Sequence, residues 1–215
     1  SLAYQSRPRQ PGVLPLCTPM NGAEGIAQVL IRRGITRVFS HAGGTISRIL
    51  DAIDRAGIQV VTAVNEAQAV HMAQGAYRAS GCVQVALCTS GPGLTNAVTG
   101  IADAFYDADA VVLLAGQVAT SSMKGNRPVR QWGFQECSLD IIRPISKAVY
   151  TNISAIDLVE SVDAALYVAM DPRPGPTVVE CPMDLQEQGV DIVVVRSSGP
   201  RTLAPWSTTH IPEVL

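Results

Sequence analysis

The run Ala110-Val111-Val112-Leu113-Leu114-Ala115-Gly116 constrains the fold more than any other stretch of this chain. A strand with one face in water alternates apolar and polar side chains. This run does not alternate, so both of its faces must be covered, which is the habit of strands in parallel sheets. Residues 83–88 and 177–181 are short apolar runs of the same kind. The stretches between them have helical spacing, as at Ile46, Ile49, Leu50 and Ile53, or at Ile156, Val159, Val162 and Leu166. Strand, short loop and helix repeated in this order predict an α/β fold. The expected architecture is a three-layer, doubly wound sheet, mainly parallel, with helices on both faces. With 215 residues, 47% hydrophobic and only 16% charged, the chain can core one such domain.

Element boundaries follow from local chemistry. Asn21 with Glu24 three residues on reads as a helix start, and Gly34 as its end. Strands are expected at residues 36–40, 58–64, 83–88, 110–116, 146–150 and 177–181. Helices are expected around residues 46–53, 67–80, 94–106 and 154–170. Residues 1–19, with Arg7, Arg9 and four prolines, read as an N-terminal arm and not as a secretory signal. Residues 20–188 read as one domain. Residues 189–215 read as a linker toward a central domain absent from the sequence. Residues 117–135, basic at Lys124, Arg127 and Arg130, read as a long loop of the kind that carries function.

Composition excludes several classes. A net charge of -2 gives no footprint for nucleic acid or an anionic membrane surface. No apolar run reaches the roughly 18 residues of a membrane span. Five cysteines form no CxxC pair and are odd in number, which suits a reduced, cytoplasmic protein. No histidine pair has metal-ligand spacing with a carboxylate or cysteine, so no protein metal site is expected.

Ligands of open α/β sheets bind beyond the carboxyl ends of the strands. Residues 41–44, Glu66, residues 89–93 and Gln117 all fall there, and should meet on one edge. Glu66 follows the strand Val60-Val61-Thr62-Ala63-Val64-Asn65. Two roles are open to it. Asn65 can cap a helix, with Gln68 closing a capping-box-like pair and Glu66 favouring the positive helix end. Alternatively, Glu66 is a buried acid/base whose desolvation lifts its pKa toward the working range. The loops Thr89-Ser90-Gly91-Pro92-Gly93 and Ala42-Gly43-Gly44 match neither a P-loop nor GxGxxG. They are either tight strand-to-helix turns or places where bare backbone approaches a flat ring. His41 can face a pocket. His71 reads as a packed or capping group.

Taken together, these segments resemble the thiamine-diphosphate enzymes. Asn65-Glu66 with Ala69, His71-Met72-Ala73, Gly75 and Arg78-Ala79-Ser80-Gly81 is similar to their catalytic-glutamate helix. Thr89-Ser90-Gly91-Pro92-Gly93-Leu94-Thr95-Asn96-Ala97-Val98-Thr99-Gly100-Ile101-Ala102 is similar to their next signature. Ala115-Gly116-Gln117-Val118, Gly133-Phe134-Gln135-Glu136 and Arg173-Pro174-Gly175-Pro176 continue in the same order. The set resembles the N-terminal, pyrimidine-binding domain of acetolactate synthases over roughly residues 20–187. The resemblance implies the thiamine-diphosphate-binding fold and a carboligase or decarboxylase acting on a 2-keto acid. It implies that Glu66 activates the cofactor, that Gly43, Pro92 and Asn96 border it, and that His41, Gln117 and Phe134 line the substrate rim.

The resemblance also implies what lies elsewhere. Mg²⁺ and the diphosphate are held in this family by a Gly-Asp-Gly…Asn motif on a second domain, and these 215 residues contain none. The chain alone is therefore expected to be inactive. It should work with the diphosphate-binding domain of another subunit or of the rest of the chain, as a homodimer or homotetramer; FAD is a further candidate cofactor. Departures stand at His41-Ala42, where the family has an aromatic residue and proline, at Asn65 in place of histidine, and at Met183 in place of lysine. The last favours a specialised relative with another 2-keto acid or acyl acceptor. The alternatives are a non-catalytic dimerisation or regulatory module, one subunit of a split enzyme, or a nucleotide-binding domain.

Overall fold

A computed structural model describes residues 20–123 and 139–190. The first described elements are β1 (Met20–Asn21) and α1 (Gly22–Arg32). The capping box is formed as expected: Asn21 Oδ1 accepts the Glu24 N–H, and Glu24 Oε2 accepts the Asn21 N–H, both at 3.0 Å. Then follow β2 (Arg37–Ser40), α2 (Ser47–Arg55), β3 (Gln59–Thr62), α3 (Glu66–Ser80), β4 (Gln84–Cys88), α4 (Pro92–Tyr106) and β5 (Val111–Gln117). After residue 138 come β6 (Ala148–Tyr150), α5 (Ala155–Met170), β7 (Thr177–Pro182), α6 (Met183–Glu187) and β8 (Gly189–Val190). Among the described residues no helix is long and apolar enough to cross a membrane.

Six strands make one sheet in the order β3-β2-β4-β5-β7-β6, with every pairing parallel. The unbroken apolar run of β5 is explained by its two covers. Val112 and Leu114 pack with Ile26, Leu30, Ile53 and Leu158 of α1, α2 and α5. Val111 and Leu113 pack with Val70, Ala73, Ala97 and Ile101 of α3 and α4. Each such Val or Leu, fully buried, contributes on the order of 2 kcal/mol of transfer free energy.

The strand order reverses between β2 and β4. From β2 the chain steps outward to β3, then returns past β2 to β4 and proceeds the other way. At such a switch point the loops leaving adjacent strands diverge and open a crevice. Here those loops are residues 41–44 and 89–93, the two glycine loops. Register aligns the carboxyl ends: Ser40 lies opposite Thr62 and Leu87, Cys88 opposite Ala115, and Gln117 opposite Pro182.

Some local expectations change. The strand before Glu66 is shorter than residues 58–64 and is the sheet edge: Val60 and Val61 are half-buried, and Val64 is 79% exposed. Gly189–Val190 pairs antiparallel with Met20–Asn21, and α6 precedes it; local sequence signalled neither. The arm at 1–19, residues 124–135 of the basic loop with the following 136–138, and 191–215 of the expected linker lie outside the described residues.

Candidate functional site

Glu66 is the first residue of α3, and the capping work is done by its neighbours. Asn65 Oδ1 accepts the Gln68 N–H at 2.8 Å, and Gln68 Oε1 accepts the Val64 N–H at 2.7 Å. Capping therefore does not consume the Glu66 side chain. The backbone is capped by Asn65 and Gln68, and the Glu66 side chain is left for other use. Glu66 is only 5% exposed, which is costly for a carboxylate without partners. Two things offset that cost. The N-terminus of α3 favours negative charge, and Asn96 of α4 donates from Nδ2 to Glu66 Oε2 at 3.0 Å. Oε1 has no hydrogen-bond partner among the described residues. It faces Gly93, where a Cβ would stand 3.2 Å away.

The glycine loops are organised around Thr89. A Cβ on Gly43 would meet the Thr89 Cβ at 2.3 Å, and one on Gly93 would meet Thr89 Cγ2 at 2.7 Å. Both glycines are thus required by close packing of the two loops on one threonine. Thr45 completes the tie: its Oγ1 lies 2.9 Å from Thr89 Oγ1 and accepts the Ser90 N–H at 2.9 Å. Gln186 of α6 donates to the Thr45 carbonyl at 2.7 Å and to the Cys181 carbonyl at 2.8 Å. Gly91 takes φ +60°, a conformation in which a Cβ is strained. Pro92 then opens α4 at a position whose N–H would have no helical partner.

Around this centre, His41 Nδ1 lies 3.1 Å from the Ala63 carbonyl. A carbonyl only accepts, so Nδ1 carries the proton of the neutral ring and Nε2 keeps its lone pair. Gln117, at the end of β5, is buried. Its Nε2 donates to Glu180 Oε1 at 3.0 Å, and its Oε1 accepts the Val118 N–H at 3.0 Å. The amide is turned onto the sheet end. Phe134 lies outside the described residues. His71 shares Nδ1 with Gln74 Oε1 at 2.8 Å and sits 3.4 Å from Asp103, away from the glycine loops.

Glu180 and Thr45 were not singled out from the sequence. Glu180 is a buried carboxylate within the otherwise apolar β7, on the same side of the sheet as Val178 and hence as α3 and α4. An acid inside an apolar strand was the available signal. Thr45 gave none, because its role depends on a loop 44 residues away. Nearby, burial pushes the Cys181 thiol well above its ordinary value, with Cys88 and Glu180 adding to the effect. Asp184 of α6 goes the other way. Burial would raise it, but hydrogen bonds from the Thr120 hydroxyl and backbone prevail and hold it below the usual carboxylate range. These bonds tie the chain leaving β5 to α6.

Residues 20–142 match the family model described as the thiamine pyrophosphate enzyme, N-terminal TPP binding domain. The chain is 39% identical over 195 residues to the acetolactate synthase isozyme 3 large subunit of Escherichia coli, an alignment covering 89% of this chain and 33% of that protein. It is 40% identical over 167 residues to the acetolactate synthase large subunit of Haemophilus influenzae, covering 77% and 28%. It is 35% identical over 172 residues to the chloroplastic acetolactate synthase 2 of Nicotiana tabacum, covering 79% and 25%. The chain spans about a third or less of the length of these relatives.

Proposed function

The chain belongs to the thiamine pyrophosphate enzymes, as an N-terminal cofactor-binding domain, and from that premise we propose that it forms the pyrimidine half of the active site of an acetolactate synthase-like carboligase or decarboxylase. The observation that carries this reading is the buried carboxylate of Glu66, with one oxygen held by Asn96 and the other without a partner among the described residues, at the switch point of a parallel sheet. A ring nitrogen that gains or shares a proton would satisfy that oxygen. The chemistry of the site therefore fits the aminopyrimidine of thiamine diphosphate.

When bound, thiamine diphosphate supplies a carbon nucleophile and an electron sink for a 2-keto acid. Glu66 holds or shares a proton at Oε1, in a setting where water would otherwise compete for it. Gly93 leaves room beside that oxygen, and Thr89, through Gly43 and Thr45, fixes the two loops that border the ring. Pro92 caps the same border. His41, with an accepting Nε2, Gln117 and Phe134 stand as rim residues. Met183, at the start of α6, carries no charge where the resembling enzymes have a lysine. That favours a 2-keto acid or acyl acceptor other than those served by a lysine at this position.

Mg²⁺ and the diphosphate belong in this reading to a Gly-Asp-Gly…Asn domain, from another subunit or from more of the same polypeptide. The assembly is then a homodimer or homotetramer, with FAD as a further candidate ligand. An odd number of cysteines with no CxxC pair suits the cytoplasm. The test is Glu66→Gln in the complete enzyme. Exchange of the bound cofactor's C2 proton should fall by about 100-fold or more, the scale of a lost general acid/base. Exchange at the unaltered rate would overturn the assignment.

A further inference from the structure

Asn96 has two conceivable places in such a site. As the family resemblance suggests, it can border the cofactor. The geometry points to something else: we infer that Asn96 is a positioning residue for Glu66, one that occupies Oε2 so that Oε1 is the single oxygen offered to a ligand. This deepens the reading of Glu66 given above and rests on it.

An ionised carboxylate only accepts, so the Asn96 amide must present its NH₂ to it, and does so at 3.0 Å. A charge-assisted bond of this kind is stronger and more directional than a neutral one. It reaches across from α4 to the first residue of α3. The partner oxygen is governed by the same helix. Gly93 lies one turn before Asn96, so both residues face Glu66 from one side of α4. Gly93 leaves Oε1 uncovered, and a methyl there would stand 3.2 Å from it. One turn of α4 thus treats the two oxygens differently, holding one and baring the other. Asn96 itself is on an exposed part of α4. Its replacement therefore leaves the cores on both faces of the sheet intact.

Few charges compete for this role. On α3 the next titratable group is His71, engaged with Gln74 and Asp103, the latter on α4. β2 carries Arg37 at its opposite end and leads to His41, bonded to Ala63. β4 contributes only Cys88, and β5 no ionisable group.

The test uses the complete enzyme with two variants. Asn96→Leu keeps bulk and removes the donor. Its crystal structure without cofactor should show the Glu66 carboxylate displaced. With cofactor, C2-proton exchange should fall by about 10- to 100-fold, the loss expected for one charge-assisted bond. The dissociation constant for thiamine diphosphate should change by less than about threefold. Asn96→Asp places a second carboxyl against Glu66. That carboxyl can donate only when protonated, so exchange should be slow at neutral pH and recover toward wild type on acidification. A merely structural role would produce no such recovery. An undisplaced Glu66 carboxylate in Asn96→Leu would overturn the inference. So would an affinity loss above about tenfold with exchange preserved, since Asn96 would then be a cofactor ligand. If Glu66→Gln leaves exchange intact, the proposed function fails instead, and the cofactor-free crystal structure still decides whether Asn96 positions the carboxylate.

Discussion

At Tyr150, on the edge strand β6, burial acts on a hydroxyl that has nothing to bond. Its Oη is enclosed and lacks a hydrogen-bond partner among the described residues. Burial pushes the phenol from its ordinary 10.0 up to about 12, because the charged form is poorly solvated there. Between pH 10 and about 12 the unfolded chain releases this proton while the folded chain keeps it. The stability contributed is thus fully present below pH 10 and is lost as pH rises toward 12. Tyr150→Phe keeps the ring, which packs beside the core under α1 and α5. It removes the orphan hydroxyl and should raise stability at neutral pH by about 1 kcal/mol. It should also flatten the decline between pH 10 and 12. Urea melts across that range check both effects; a less stable Phe variant would show that the hydroxyl has a partner.

The decisive element pair is α3 and α4, since one carries Glu66 and the other Gly93 and Asn96. They approach closely at Gly100, where a Cβ would lie 2.6 Å from the Val70 Cβ and 3.2 Å from the Ala67 carbonyl oxygen. Alanine normally gains about 1 kcal/mol over glycine inside a helix. Here Gly100→Ala should instead cost about 1–3 kcal/mol, because Val70 is fully buried and the helices must part. Thermal melts read the stability, and a stabilised variant would refute the close approach. How far such elements could be read from sequence follows from the range of the forces involved. Asn21 with Glu24, Asn65 with Gln68, and Gly81 were legible because caps act within one turn. The apolar run in β5 announced two covers, and the sheet has them. The edge position of β3 was not legible, since Val60 and Val61 look the same in a central strand. Nor was the pairing of residues 20–21 with 189–190, which depends on where the chain returns. The site shows the same division. Glu66 was legible from its place after a strand and from the motif around it. The Asn96 bond, the Thr45 tie to Thr89 and the Gln117 bond to Glu180 were not, because each joins residues 30 or more apart. Sequence left open whether the glycines serve tight turns or the approach of a ring, because it cannot show that Thr89 fills the space beside Gly43 and Gly93.

For the whole molecule, the consequence is asymmetry in what this chain can hold. Its sheet edge offers one carboxylate oxygen and bare glycine backbone. It offers little to a diphosphate. Among the described residues no group of three His, Cys, Asp or Glu side chains could hold a metal ion. The 215 residues contain no Gly-Asp-Gly…Asn motif, and the net charge is -2. Charge-assisted donor contacts to phosphate oxygens are among the stronger polar contacts a ligand can make. If, as proposed, this chain supplies the ring half, it should bind the cofactor weakly. Titration calorimetry on these 215 residues alone should give an affinity at least about 100-fold below that of a mixture with a Gly-Asp-Gly…Asn domain. Binding in the mixture should vanish when Mg²⁺ is chelated. Tight, Mg²⁺-independent binding by the chain alone would contradict the division into two halves. Glu66→Gln in the mixture separates the halves further: affinity, set by the phosphates, should largely survive, while proton exchange, set by the ring half, should not.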